Sequence, residues 1–136
     1  MSQHRVEALK SIKRGDIFHA AGSTGSSRIC IAMSVTESII LARHVSSQGI
    51  YEFDGTTGIA VRHFSSRAVH YTIDSIAAPP EDVRDIILEL DEKYRDGEYQ
   101  RAENPEWKPP ADAMALTEDQ IRAYLFLGEL YRANPI

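Results

Sequence analysis

The hydrophobic pattern of this chain changes its period once, near residue 76, and that change limits what the chain can fold into. Before it, apolar and polar residues alternate in short runs broken by turn residues, as in half-buried strands. After it, apolar residues recur every three to four positions, as in amphipathic helices. Strands first and helices afterwards define an α+β chain.

In "RICIAMSV" (residues 28–35), Ile29, Ile31, Met33 and Val35 share one face, and Cys30, Ala32 and Ser34 share the other. "SIILARHV" (38–45) starts apolar on both faces and reads as a central strand. Ile50 to Phe53 and Ile59 to Phe64 flank Asp54-Gly55-Thr56-Thr57-Gly58, a hairpin whose glycines take positive φ at little cost. "GDIFHA" and "AVHYTI" bring the count to six short strands. So short a β region favours a small, bent SH3-like barrel over residues 1–76, within a single domain spanning 1–136.

Residues 77–99 read as a helix. Pro80 opens it, acidic Glu81, Asp82 and Asp85 suit its positive end, and Val83, Ile86, Ile87, Leu90 and Tyr94 form its stripe, with an end expected near Gly97. Residues 100–116 form a proline-punctuated linker around Trp107. A second helix spans 117–134, with a capping box from Thr117 to Gln120 and a stop at Asn134-Pro135. It is apolar nearly all round, which calls for burial on more than one side. That points to a homodimer through this helix, with Trp107, Ile121, Tyr124, Phe126, Leu127, Leu130 and Tyr131 as interface residues. Trp107 also suits a protein partner.

Composition narrows the setting. The 136 residues are 43% hydrophobic and 26% charged, ordinary for a globular chain. Cys30 is the single cysteine, so no intrachain disulfide or thiolate zinc cluster forms, which fits a reducing compartment. The start lacks the apolar core of a secretory signal, and no apolar run approaches the roughly 20 residues of a membrane span, so a cytoplasmic protein is expected. Residues 1–75 carry eight Lys/Arg against six Asp/Glu, whereas residues 76–136 carry seven against fourteen. The net charge of −5 weighs against nucleic acid as a partner, since backbone affinity depends on basic surface.

The most distinctive chemistry is a doubled motif. "RHVSS" begins at Arg43 and "RHFSS" at Arg62, and each follows a strand. If the two strand ends converge, Arg43, His44, Arg62 and His63, joined by Arg28, form a contact surface for an anion or a nucleic acid. Strand parity puts His44 with Ile40 and Ala42, and Arg43 with Ile39 and Leu41. Other chemistries find less support. No Gly-x-Ser-x-Gly elbow exists, and nothing in the sequence fixes a serine, a histidine and an acid together. No His-x-His or helical His pair suggests a metal. "AGSTGSSR" lacks the lysine and the following helix of a phosphate-binding loop.

The stretch "KRGDIFHAAGSTGSSRICIAMSV", through Lys13-Arg14-Gly15-Asp16-Ile17 and Arg28-Ile29, resembles the opening of the MazF/PemK-type toxins. The resemblance covers about twenty residues. It lacks those toxins' proline-valine strand entry, and the acidic helical tail is foreign to them. The resemblance implies that Arg28 takes part in RNA cleavage, and the alternative reading is an RNA-directed, toxin-like nuclease using Arg28, Arg43, Arg62 and a histidine, His63. The leading expectation is a non-enzymatic cytoplasmic binding or regulatory module, homodimeric, with no metal, no cofactor and no membrane contact.

Overall fold

The computed structural model describes residues 3–63, 70–110 and 115–136, the side chains of residues 62 and 63 excepted. Helix α1 (Gln3–Lys10) comes first. Strands β1 (Ile17–Gly22), β2 (Ser27–Val35), β3 (Ile39–His44), β4 (Ile50–Asp54), β5 (Ala60–His63) and β6 (Tyr71–Ser75) follow. Helices α2 (Glu81–Glu103) and α3 (Glu118–Ala133) complete the α+β order. Expected roles for Phe64, Ser65, Ser66 and Val69 lie outside the described residues.

The strands form one antiparallel sheet in the order β5-β4-β3-β2-β1-β6, curled into a half-barrel. Its two ends touch where Ile59 bridges Thr72 and the Ile73 amide donates to the Gly58 carbonyl at 2.8 Å. Helix α1, which the sequence pattern did not announce, docks at this seam. Arg5 donates from Nη1 to the Ile73 carbonyl (2.8 Å) and from Nη2 to the Thr57 carbonyl (2.6 Å). Gly58 makes this possible, because its φ is +74° and a Cβ would lie 2.6 Å from Arg5 Nη2. The preceding turn is held by Asp54 Oδ1, which accepts the amides of Thr56 (2.8 Å) and Thr57 (2.9 Å).

Two cores share the sheet. The inner one joins Phe18, Cys30, Ile40, Phe53 and Ile73 with Leu9 and Ile12 from the N-terminal segment. The outer one packs Ile17, Ile31 and Val45 against Val83, Ile87 and Leu90 of α2 and Ala123, Leu127 and Tyr131 of α3. Strand β2 is therefore covered on both sides, with Cys30 and Ala32 inward and Ile29 and Ile31 against the helices. An irregularity between Ala32 and Ser34 then turns Val35 to the inner core, away from the face that strict alternation assigns it.

The α2 stripe packs as its period indicates, but the helix runs past Gly97 to Glu103. Ring carbons of Trp107 lie 3.8 and 3.9 Å from where a Gly97 Cβ would sit, so the indole packs on the helix at the glycine. That contact helps offset the roughly 1 kcal/mol a helical glycine costs. The capping box opens α3: the Gln120 amide donates to Thr117 Oγ1 (3.2 Å) and the Thr117 amide to Gln120 Oε1 (2.9 Å). This helix has two unlike apolar faces. Ala123, Leu127 and Tyr131 are buried within the chain, whereas Ile121, Leu125 and Phe126 are 46%, 66% and 42% exposed. Leu127 and Tyr131 are thus consumed inside the molecule, and the apolar side chains that α3 leaves exposed include Ile121, Leu125 and Phe126.

Candidate functional site

Arg28 enters β2 on the inner face, two residues before Cys30, where the half-barrel is lined by tyrosines. Its guanidinium carbon lies 4.8 Å above the Tyr71 ring, Nε points to the Tyr51 hydroxyl at 3.5 Å, and Nη1 donates to the Ser27 carbonyl at 3.0 Å. Tyr51 and Tyr71 are buried and meet edge to face, ring centroids 5.3 Å apart. Ser26 Oγ donates to the Tyr71 hydroxyl at 3.2 Å. Among the described residues, no carboxylate forms an ion pair with Arg28.

His44 pairs with Cys30 in the β2–β3 register and so belongs to the same inner face. Its Nδ1 lies 2.7 Å from Ser47 Oγ. Burial, followed by the positive charge of Arg28, pushes the His44 pKa down to about 4, so the imidazole stays neutral at physiological pH. Burial also raises the neighbouring Cys30 thiol to about 12, which makes it an inert packing group rather than a nucleophile.

Arg43, one residue away, lies on the opposite face with a different role. Nε and Nη2 grip Asp91 of α2 at 2.9 and 2.6 Å, a bidentate pair. Gln48 Nε2 adds a bond to the same carboxylate at 2.9 Å, and Arg95 approaches it at 3.3 Å. Asp91 is only 2% exposed. Burial pushes its pKa up most strongly, but bonds from Arg43 and Gln48 and the charges of Arg43 and Arg95 bring it below the ordinary value. The Asp91 hydrogen bond in turn raises Arg43 above its ordinary pKa. Gln48 reaches Asp91 from a left-handed backbone, φ +60°, an uncommon conformation for a non-glycine residue and one that the clamp holds in place.

The doubled motif is therefore split at its first copy. His44 faces the tyrosine-lined end, and Arg43 is fixed to α2. In the second copy, the backbone register sets Arg62 opposite Glu52 and His63 opposite Tyr51. Ser46 faces the Tyr124 hydroxyl at 3.4 Å, next to a cleft of about 320 Å³ that Tyr94, Gly97, Trp107 and Pro109 help line. Trp107 is half-buried against its own helix. Sequence reasoning missed Tyr51 and Tyr71 as site residues, although their parity with Phe53 and Ile73 already placed them on the inner face.

Among the described residues, no group of histidine, cysteine and carboxylate side chains is placed to hold a metal, and no helix is long and apolar enough to cross a membrane. No family model, no curated protein and no solved structure matches this chain.

Proposed function

We propose that this chain is a small, non-enzymatic binding module of the cytoplasm, an SH3-like half-barrel that takes an anionic group at Arg28. The observation that supports this is the setting of Arg28, a half-buried guanidinium against two tyrosines with no carboxylate partner among the described residues. A partly desolvated cation without a counter-charge is costly to keep, and a bound anion removes that cost. A guanidinium fork suits two oxygens of one phosphate, and neighbouring aromatic rings suit an apolar group attached to it. A neutral His44 adds a hydrogen-bonding group without adding charge.

Titration calorimetry with pyrophosphate tests the reading. Saturable binding that weakens at least about 10-fold in Arg28→Met, roughly 1.4 kcal/mol, is expected. Binding unchanged by that substitution removes Arg28 from the site. Cleavage of an added RNA, abolished in Arg28→Ala, replaces this reading with the nuclease one.

The module is also proposed to be a homodimer, because α3 leaves Ile121, Leu125 and Phe126 in water while Ala123, Leu127 and Tyr131 are buried. Sedimentation at micromolar concentration checks this, and a monomer mass refutes it.

A further inference from the structure

Three side chains that take no part in the Arg28 site meet in an arrangement that the sequence did not foretell. His19 of β1 stands between Asp74 of β6 and Ser27 of β2, the strands that flank β1 in the sheet. His19 Nδ1 lies 2.5 Å from Asp74 Oδ1, and His19 Nε2 lies 2.5 Å from Ser27 Oγ. The carboxylate beside Nδ1 favours the tautomer that carries its proton there, which leaves Nε2 to accept from the serine hydroxyl.

The fold sets this alignment. In the β1–β6 pairing, His19 stands opposite Ser75 and the next residue, Ala20, stands opposite Ile73. Asp74 is thus the extra residue of a β-bulge, a feature that re-aims side chains and recurs beside active sites. The Tyr131 ring stacks on the imidazole, centroids 5.3 Å apart and planes 28° apart, and restricts its tilt. The His19 side chain is 15% exposed, whereas Ser27 is exposed at the start of β2, just after the tight turn closed by the Gly22 amide on the Ser26 carbonyl (2.7 Å). The base is sheltered and the nucleophile is reachable.

We infer that Ser27, His19 and Asp74 form a nucleophilic serine site for acyl transfer from small esters. If this site turns over esters it replaces the non-enzymatic part of the proposal above, while anion binding at Arg28 stands or falls by its own test. Ser27 Oγ forms a bond to the ester carbonyl carbon while its proton passes to His19 Nε2. The carbon–oxygen bond to the leaving alcohol breaks, and that oxygen takes the proton from His19. Water then repeats the two steps on the acyl-serine, releasing a carboxylic acid and restoring Ser27. Asp74 stays ionised and holds the imidazole in the required orientation.

The test treats the full chain with an alkyl fluorophosphonate and, separately, with p-nitrophenyl acetate. The expected result is a single phosphonyl adduct mapped to Ser27, formed with loss of fluoride and absent in Ser27→Ala. Labelling and ester turnover should each slow by about 100-fold in His19→Gln. Asp74→Asn, which preserves shape, should slow both as well and alter the pH profile of labelling. Circular dichroism confirms the fold of each variant, and Asp74→Asn carries the test if His19→Gln does not fold. An absent Ser27 adduct, or labelling as fast in folded His19→Gln or Asp74→Asn as in the parent, overturns the inference.

Discussion

Arg43 and Arg28 sit on adjacent strands of one sheet, yet the two faces treat them in opposite ways. On the outer face, Arg43 is matched by a buried carboxylate that two further side chains also hold, so its charge is spent on joining sheet to helix. On the inner face, Arg28 meets aromatic rings and a neutral histidine, with no ion pair among the described residues. A charge compensated inside the fold belongs to the architecture. One that no described carboxylate compensates is what the proposed anion would match.

The comparison breaks most sharply at Asp91. Asp91→Ala leaves the half-buried Arg43 without its carboxylate partner and should cost about 2–3 kcal/mol, read as a drop in the urea midpoint. The double variant Arg43→Met/Asp91→Leu should recover most of that loss, because it removes both charges. A midpoint unchanged by Asp91→Ala would mean that the outer pair contributes nothing to stability.

A smaller effect sharpens the inner side. His44 has a folded pKa of about 4 against an ordinary 6.5, so above pH 6.5 it is neutral in both states and its setting costs nothing. As pH falls through 6.5 towards 4, the unfolded chain takes a proton that the folded chain refuses, and stability declines by about 2 kcal/mol. Urea unfolding at pH 7 and pH 4.5 measures this, and His44→Gln should flatten the difference. An equal pH slope in that variant would place the titration elsewhere.

Much of the architecture was legible in the sequence because burial leaves a period. The α2 stripe, the Thr117–Gln120 box and the Asp54–Gly58 turn are local devices whose residues announce them. The site was less legible. Parity correctly separated Arg43 from His44, but which face held a carboxylate depended on Asp91, forty-eight residues away. Asp91 stands four residues before Arg95, the spacing of an exposed helical ion pair, yet it is buried at the sheet. The Ser27–His19–Asp74 alignment depends on a bulge, and no residue in "YTIDS" marks where β6 slips its register. Helix α1 offers too few apolar residues to show a period, and Leu9 is its one buried side chain.

The seam at Gly58 and Ile73 also bears on whether the sheet could pair with a neighbouring molecule. A curled sheet with open margins invites strand-to-strand pairing between molecules. Here the described part of β5 is four residues long, and residues 134–136 lie along β6, where the Ile136 amide donates to the Asp74 carbonyl (2.9 Å) and Ser75 Oγ to the Asn134 carbonyl (2.7 Å). Arg5 clasps the Thr57 and Ile73 carbonyls where the margins meet. Among the described residues, little ladder is left on offer for runaway fibre growth.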